Sequence, residues 1–369
     1  MGIVVENIRK SYGRNVVLND LSFEVPSESF TTILAPTGSG KTTILRVLAG
    51  IEKPDRGRVL YDGKDVTKVP VQKRSVSMVY QDFINYPSMT VYENIASPLR
   101  VFHPRPPEKE IDTKVREIAA LLKISHVLDH MPEEVSGGEK QRTAIARALI
   151  KGSEIIFLDE PLANLDYKLR EELRGELKTV FKGTTILYAT PEPIDALSMS
   201  SHVGFLHEGK IIQFGLVHEV YARPLFLEVG RYFNDPPMNM LEGSLVRKNN
   251  TVGLALTDEI SIEMDSYKSV LQSDEYIVGI RPQDLSISQD RLGMLSFEAT
   301  VDFTEIVGSF TTLHLVHGGK NLGIVLYQPE KSHRRGDKVR IYLDPRGVYV
   351  YEKRSKKLVI AKGEPVTGS

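Results

Sequence analysis

The segment Ala35-Pro36-Thr37-Gly38-Ser39-Gly40-Lys41-Thr42-Thr43 constrains this chain more than any other. It follows the β-branched run Phe30 to Leu34 and leads into the apolar-periodic Ile44-Leu45-Arg46-Val47-Leu48, so the order strand, Gly-rich loop, helix is expected. In that context backbone N–H groups turn inward at a helix N-terminus and cradle phosphate oxygens. Gly38 and Gly40 let the backbone come close, Lys41 reaches the β- and γ-phosphates, and Thr42 offers a hydroxyl to magnesium. One residue departs from the G-x-x-x-x-G-K-[ST] pattern. Its first glycine is Ala35, and a methyl group is tolerated there if the local φ is negative.

The rest of the first two-thirds fits around that loop. Short β-branched runs, Ser75 to Val79, Glu154 to Leu158, Thr184 to Ala189 and His202 to Leu206, alternate with amphipathic stretches, the pattern of a parallel sheet covered by helices. Lys168 to Phe181 places Leu169, Leu173, Leu177 and Val180 on one helical face. The run Ile155 to Leu158 ends in Asp159-Glu160. A buried strand of this kind delivers Asp159 to its C-terminal edge, where it can hold magnesium directly or through water, and Glu160 can orient or deprotonate an attacking water. Apolar strands ending in Asp-Glu also arise by chance, but here the Gly-Lys-Thr loop lies upstream.

A more helical block over about 92–150 interrupts the alternation and reads as an inserted helical subdomain; it includes the loop His103-Pro104-Arg105-Pro106-Pro107. From Asn234-Asp235-Pro236-Pro237 onward, the texture changes to short alternating strands with frequent turns. Phe297, Ala299, Val301 and Phe303 alternate, as do Val339, Ile341 and Leu343. We expect an α/β domain over residues 1–236 and a β-rich domain over 237–369.

Charge and composition narrow the function. With 47 Lys and Arg against 48 Asp and Glu, the net charge is -1, too weak a field for a generic nucleic-acid-coating protein. The chain has no cysteine, which excludes a disulfide framework and any thiolate zinc or iron–sulfur site. No apolar run approaches the ~18 residues of a membrane helix, and the N-terminus carries no targeting pattern. Any membrane association is therefore expected through a partner.

A second anion site is expected at Ser136-Gly137-Gly138-Glu139-Lys140-Gln141-Arg142, which precedes a helix with Ala144, Ile145, Ala148 and Leu149 on its inner face. Ser136 can cap that helix, and the N–H groups at Gly137 and Gly138 add to its dipole. Two phosphate-type sites beside one nucleotide loop invite a face-to-face dimer. Together these motifs resemble the nucleotide-binding subunit of an ATP-binding cassette (ABC) transporter. Ser136 to Glu139 matches that family's signature, with Val135 for the usual Leu and Glu139 for the frequent Gln. Tyr12 sits where the family stacks an aromatic on adenine, although a lone Tyr there is also compatible with core packing. Gln81, in Val79-Tyr80-Gln81-Asp82, matches the Gln that joins the site to the membrane partner. Ala163-Asn164-Leu165-Asp166 matches the loop that crosses the dimer interface. Further on, Pro237-Met238-Asn239-Met240, Gly279 to Asp284, Gly308-Ser309 and Gly336-Asp337-Lys338 resemble the regulatory domain of carbohydrate- and polyol-importer ATPases. Tyr86 to Ile95 is similar to the same subgroup.

The resemblance implies an α/β P-loop NTPase fold: an ABC cassette core with an inserted α-helical subdomain, followed by an all-β, OB-like regulatory domain. It implies an ATPase using ATP and Mg2+. The nucleotide would meet Tyr12, Pro36, Thr37, Gly38, Ser39, Gly40, Lys41, Thr42 and Thr43, and, from a facing subunit, Ser136, Gly137, Gly138 and Glu139 with Asp166. Glu160, Gln81 and Lys41 would serve catalysis, and Thr42, Gln81 and Asp159 the metal. The implied partners are two transmembrane permease subunits, a second identical or non-identical ATPase subunit and an extracytoplasmic solute-binding protein, with no nucleic acid. The implied location is the cytoplasmic face of the cell membrane.

One position breaks the pattern. Leu187-Tyr188-Ala189-Thr190-Pro191-Glu192-Pro193 has Pro191 where the family places a His that contacts the γ-phosphate, and proline has neither an N–H nor a titratable side chain. Two readings follow: a working ATPase of a sugar or polyol importer with a modified switch, or a hydrolysis-impaired regulatory subunit paired with a competent ATPase. Two smaller features stay open. His126 and His130 are spaced to present two metal ligands on a helix or to form a surface pair. Arg142, Arg147 and Arg174 read as partners of phosphates or acids, or as solvated helix faces.

Overall fold

The computed structural model describes residues 1–163, 165–248, 251–289, 292–307, 310–326 and 333–366. Asn164 of the expected interface loop and Gly308-Ser309 of the tail lie outside the described residues. The chain divides into two compact units, Met1–Val217 and His218–Ser369.

The first unit runs β1 (Ile3–Tyr12), β2 (Asn15–Val25), β3 (Phe30–Leu34), α1 (Lys41–Ala49), β4 (Arg56–Tyr61), β5 (Lys64–Asp65), β6 (Val76–Val79), α2 (Val91–Arg100), α3 (Glu108–Leu121) and α4 (Gly137–Ile150). It continues with β7 (Ile155–Asp159), α5 (Tyr167–Val180), β8 (Thr185–Thr190), α6 (Pro193–Met199), β9 (His202–His207) and β10 (Lys210–Leu216). Strands β2-β1-β4-β5 form one antiparallel sheet, and β10-β9-β3-β8-β7-β6 form a second. In the second sheet only β10 is antiparallel to its neighbour.

Strand β7 shows why the apolar runs were legible. Ile155 and Phe157 pack with Ile3, Val5, Leu45 and Leu48 on one face, while Ile156 and Leu158 pack with Ile95, Ile111, Ile145 and Leu173 on the other. A strand covered on both faces has to read as an unbroken apolar run. All five expected strands are present within a residue of the expected ends. Helix α5 buries Leu173 and Leu177 as expected. Helix α4 departs from expectation, because Gln141, Arg142, Thr143, Ala146 and Ile150 are buried along with Ile145 and Ala148. It is enclosed on most of its circumference rather than on one face, and Ala144 and Leu149 are only partly buried. The sheet of β1, β2 and β4 was not anticipated. Three register shifts between β1 and β2, with Asn7 at φ 49, break the alternation that would have revealed it.

The parallel register places the functional loops. Leu34 of β3 pairs with Thr190 of β8, Asp159 of β7 with Ala189, and Val79 of β6 with Leu158. The loops after β3, β6, β7 and β8 therefore leave the same C-terminal edge of the sheet, the usual ligand edge of open α/β sheets.

The second unit is mostly antiparallel β. One sheet follows the order Ser261–Glu263, Thr251–Ala255, Asn239–Lys248, Glu275–Ile280, Tyr349–Glu352, Leu358–Ala361, Glu364–Pro365. The other follows Leu285–Ser286, Lys338–Leu343, Leu295–Val307, Phe310–His317, Lys320–Leu326. Together they form the OB-like all-β region expected for the tail. Residues before the expected break at 236 also pack here: the Arg281 guanidinium lies 3.7 Å from the centre of the Tyr221 ring and 4.9 Å from that of Tyr349. Gln283 also donates to the Tyr221 hydroxyl at 3.0 Å. These contacts are why the unit boundary falls after Val217. Among the described residues, no helix is long and apolar enough to cross a membrane.

Candidate nucleotide-binding site

The loop between β3 and α1 turns on two glycines in the left-handed region, Gly38 at φ 81 and Gly40 at φ 102. A Cβ on Gly40 would fall 2.7 Å from Val17 Cγ1, so both backbone and space require glycine there. Ala35 is buried and is not among the residues with positive φ, so its methyl group is accommodated without strain. Lys41 is only 3% exposed. Its Nζ donates to the Ala35 and Pro36 carbonyls at 3.0 Å each and pairs with Glu160 Oε1 at 3.0 Å. Ser39 Oγ is buried in the same loop without a hydrogen-bond partner.

Strand β7 brings in the carboxylates. Thr42 Oγ1 donates to Asp159 Oδ1 at 3.1 Å. Burial raises the Asp159 pKa, against the lowering effect of the Thr42 hydrogen bond. A hydroxyl beside a carboxylate whose charge is poorly solvated is an oxygen donor set that suits a hard divalent cation. Glu160 adopts φ 44 and donates its N–H to Ala189 O at 2.9 Å. A left-handed glutamate is unfavourable by roughly 1–2 kcal/mol, and this turn accompanies the return of its side chain to Lys41.

The other expected residues fall into separate groups. Tyr12, at the end of β1, is 46% exposed, so it is not a core residue. Its hydroxyl donates to Glu52 and is also flanked by Thr43. Gln81 is exposed two residues beyond β6, on the same sheet edge as Asp159. Ser136 caps α4: its Oγ accepts from Glu139 N at 3.4 Å, while Glu139 Oε2 accepts from Ser136 N at 2.8 Å and Ser136 Oγ at 2.7 Å. Gly138 fits against α5, where a Cβ would lie 2.3 Å from Leu169 Cδ2. Asp166 caps α5, accepting from Leu169 N at 3.0 Å. The Ser136 segment and the Asp166 cap are thus brought together. No hydrogen bond among the described residues links Ser136–Glu139 directly to the 36–43 loop.

Sequence reasoning missed the support beneath Pro191. Asp195, 1% exposed, accepts from Arg174 Nε at 2.6 Å, Tyr188 OH at 2.7 Å and Thr190 Oγ1 at 2.9 Å. Thr190 Oγ1 in turn accepts from Glu192 N at 3.1 Å. This network fixes the end of β8 on both sides of Pro191. The solvated reading of Arg174 is therefore wrong, and so is that of Arg142, which is buried and donates to Leu122 O at 2.9 Å. No local signal could have paired Arg174 with an acid 21 residues away. Arg147 packs its guanidinium 4.3 Å from the centre of the Tyr86 ring, beside a groove of about 410 Å³ lined by residues including Met78, Ile84, Ala144 and Lys151. His126 sits in a single turn, Ser125–Val127, rather than on a helix shared with His130, and its Nε2 lies 2.9 Å from Glu139 Oε1.

Residues 18–163 match the family model described as ABC transporter, and residues 278–350 match the TOBE domain. The chain is 32% identical to the trehalose/maltose import ATP-binding protein MalK of Thermococcus litoralis, over 97% of this chain and 99% of that protein. It is 37% identical to the spermidine/putrescine import ATP-binding protein PotA of Haemophilus influenzae, over 78% of this chain and 77% of that one. A solved dimer of the ATP-binding cassette MJ0796, in a post-hydrolysis state with ADP and Pi, superposes with a TM-score of 0.54 at 26% identity, covering 58% of this chain and 98% of that one.

Proposed function

The chain belongs to the ABC transporter ATPases, as an ATP-binding subunit of the importer type, and on that premise we propose that it powers uptake of a sugar or polyol, glycerol and its phosphate included. The observation that carries this reading is the end-to-end similarity to a trehalose/maltose subunit, supported by Lys41, Thr42, Asp159 and Glu160 gathered on one sheet edge.

In this reading the N–H groups around Gly38 and Gly40 receive the phosphates, Ser39 Oγ gains the partner it lacks, and Tyr12 offers its exposed ring to the base. Lys41 exchanges Glu160 for phosphate oxygens, which frees Glu160 to accept a proton from water. Thr42 and Asp159 would hold Mg2+, with Gln81 reaching in from the neighbouring loop; the ion supplies charge that offsets the phosphate oxygens. Ser136, Gly137 and Gly138 of a second copy, or of a related subunit, close the site from the other side, with Asp166 beside them. The groove beside Arg147 and Tyr86 accepts a segment of a membrane permease, two of which form the transport path together with a solute-binding protein. The protein is thereby held on the cytoplasmic face of the membrane.

Pro191 favours a second reading, in which hydrolysis is impaired and this subunit mainly binds ATP beside a competent one. ATP hydrolysis by the purified protein, alone and with its permeases, separates the two. Turnover by the isolated protein that disappears in Glu160→Gln supports the working ATPase. Binding without turnover supports the regulatory subunit.

A further inference from the structure

The Ser136 segment differs in charge from the motif it resembles, because Glu139 replaces a neutral Gln. Both Glu139 oxygens are engaged: Oε2 takes the Ser136 N–H and hydroxyl at 2.8 and 2.7 Å, and Oε1 faces His126 Nε2 at 2.9 Å. Burial opposes ionisation of Glu139, but its bonds from Ser136 and His126 outweigh that and hold the carboxyl below the usual range. The result is a carboxylate in direct contact with the hydroxyl that, on the proposed function, must meet a nucleotide phosphate. Uncompensated, two negative charges at such short range repel one another.

We propose that His126 is a positioning residue that neutralises Glu139 and so keeps the Ser136 segment able to accept the phosphate of a nucleotide held by a second copy of the chain. The proposal rests on the reading of Ser136 given above. His126 is 67% exposed, and an imidazole is the side chain whose charge changes between about pH 5 and 8. Among the described residues no other cation on a neighbouring segment pairs with Glu139. Lys123 and Arg142 face Glu176, Arg116 is paired with Asp112, and Lys140 forms no ion pair with Glu139. Asp129, on the same connection as His126, only adds negative charge.

The test uses the full chain in a Glu160→Gln background, where ATP-driven dimerisation can be followed by sedimentation without turnover. The ATP concentration for half-maximal dimer is measured at about pH 6 and about pH 8. Replacing His126 by Ala is expected to raise it about tenfold at the lower pH and much less at the higher. Glu139→Gln should remove the part of the pH dependence that runs through His126, and the double variant His126→Ala/Glu139→Gln should behave as Glu139→Gln alone. An unchanged His126→Ala at the lower pH overturns the proposal, and so does a double variant that keeps the full loss, since His126 would then act through structure. A parent that never dimerises with ATP overturns the Ser136 reading itself, and the proposal with it.

Discussion

Lys41 Nζ lies 3.0 Å from Glu160 Oε1, and both side chains are nearly buried. The cation that follows β3 is therefore held by the carboxylate that follows β7, and in the proposed function a phosphate has to displace one from the other. Glu160→Gln removes the competing charge. We expect ATP to bind about threefold or more tightly in this variant, while turnover falls by ~10²–10³ or more, the scale for losing one group aimed at a transition state. Calorimetric titration and phosphate release measure the two effects, and Lys41→Ala should lose the binding.

Asp159 carries a charge that the fold disfavours. Its pKa is raised, chiefly by burial, so its ionised form destabilises the protein. That penalty is present above the folded-state pKa and relieved as pH falls through it. Asp159→Asn keeps an acceptor for Thr42 Oγ1. Without nucleotide it should melt higher at neutral pH, by the few degrees within which single-charge effects on a unit of this size fall. The gain should shrink in acid, where Asp159 itself becomes neutral, and the stabilisation by Mg2+ with ATP should be lost. Thermal melts across pH, with and without Mg2+ and ATP, check each part.

The Asp195 network predicts a large structural effect away from the nucleotide loop. Asp195→Ala leaves the buried Arg174 guanidinium with only the half-exposed Glu171 as its carboxylate partner and strips an acceptor from Tyr188 and Thr190. Breaking a buried pair from one side costs about 3–5 kcal/mol. Urea unfolding of the full chain should show that loss in the transition of the first unit.

What was legible in the sequence follows from range. The loop 35–43 and the run Ile155 to Glu160 carry their meaning within a few residues, because the glycine backbone and the strand edge act locally. The covered strands were legible because burial on both faces leaves no polar interruption. The β1–β2 sheet was hidden by bulges, which shift alternation out of phase. Arg142, Arg174 and Asp195 were hidden because a buried ion pair joins residues far apart in sequence, and each alone resembles an ordinary surface charge. The boundary after Val217 was hidden for the same reason, since Arg281 meets Tyr221 60 residues earlier.

Pro191 offers the sharpest test of the switch. Thr190 before it and Glu192 after it are tied to Asp195 and to each other, so the strand end keeps its place while the position between them lacks a titratable group. Pro191→His restores both an imidazole and a backbone N–H. If that absence limits hydrolysis, the variant should turn over ATP at least tenfold faster, toward the ~10²–10³ that one well-placed donor supplies. ATP affinity should stay within about twofold, because the group acts on developing charge rather than on the bound ground state. Steady-state phosphate release and equilibrium binding on the same preparation give both quantities. A rate that does not rise would mean that another group already supports Glu160, and Glu192→Ala in the parent would then show whether that group is Glu192.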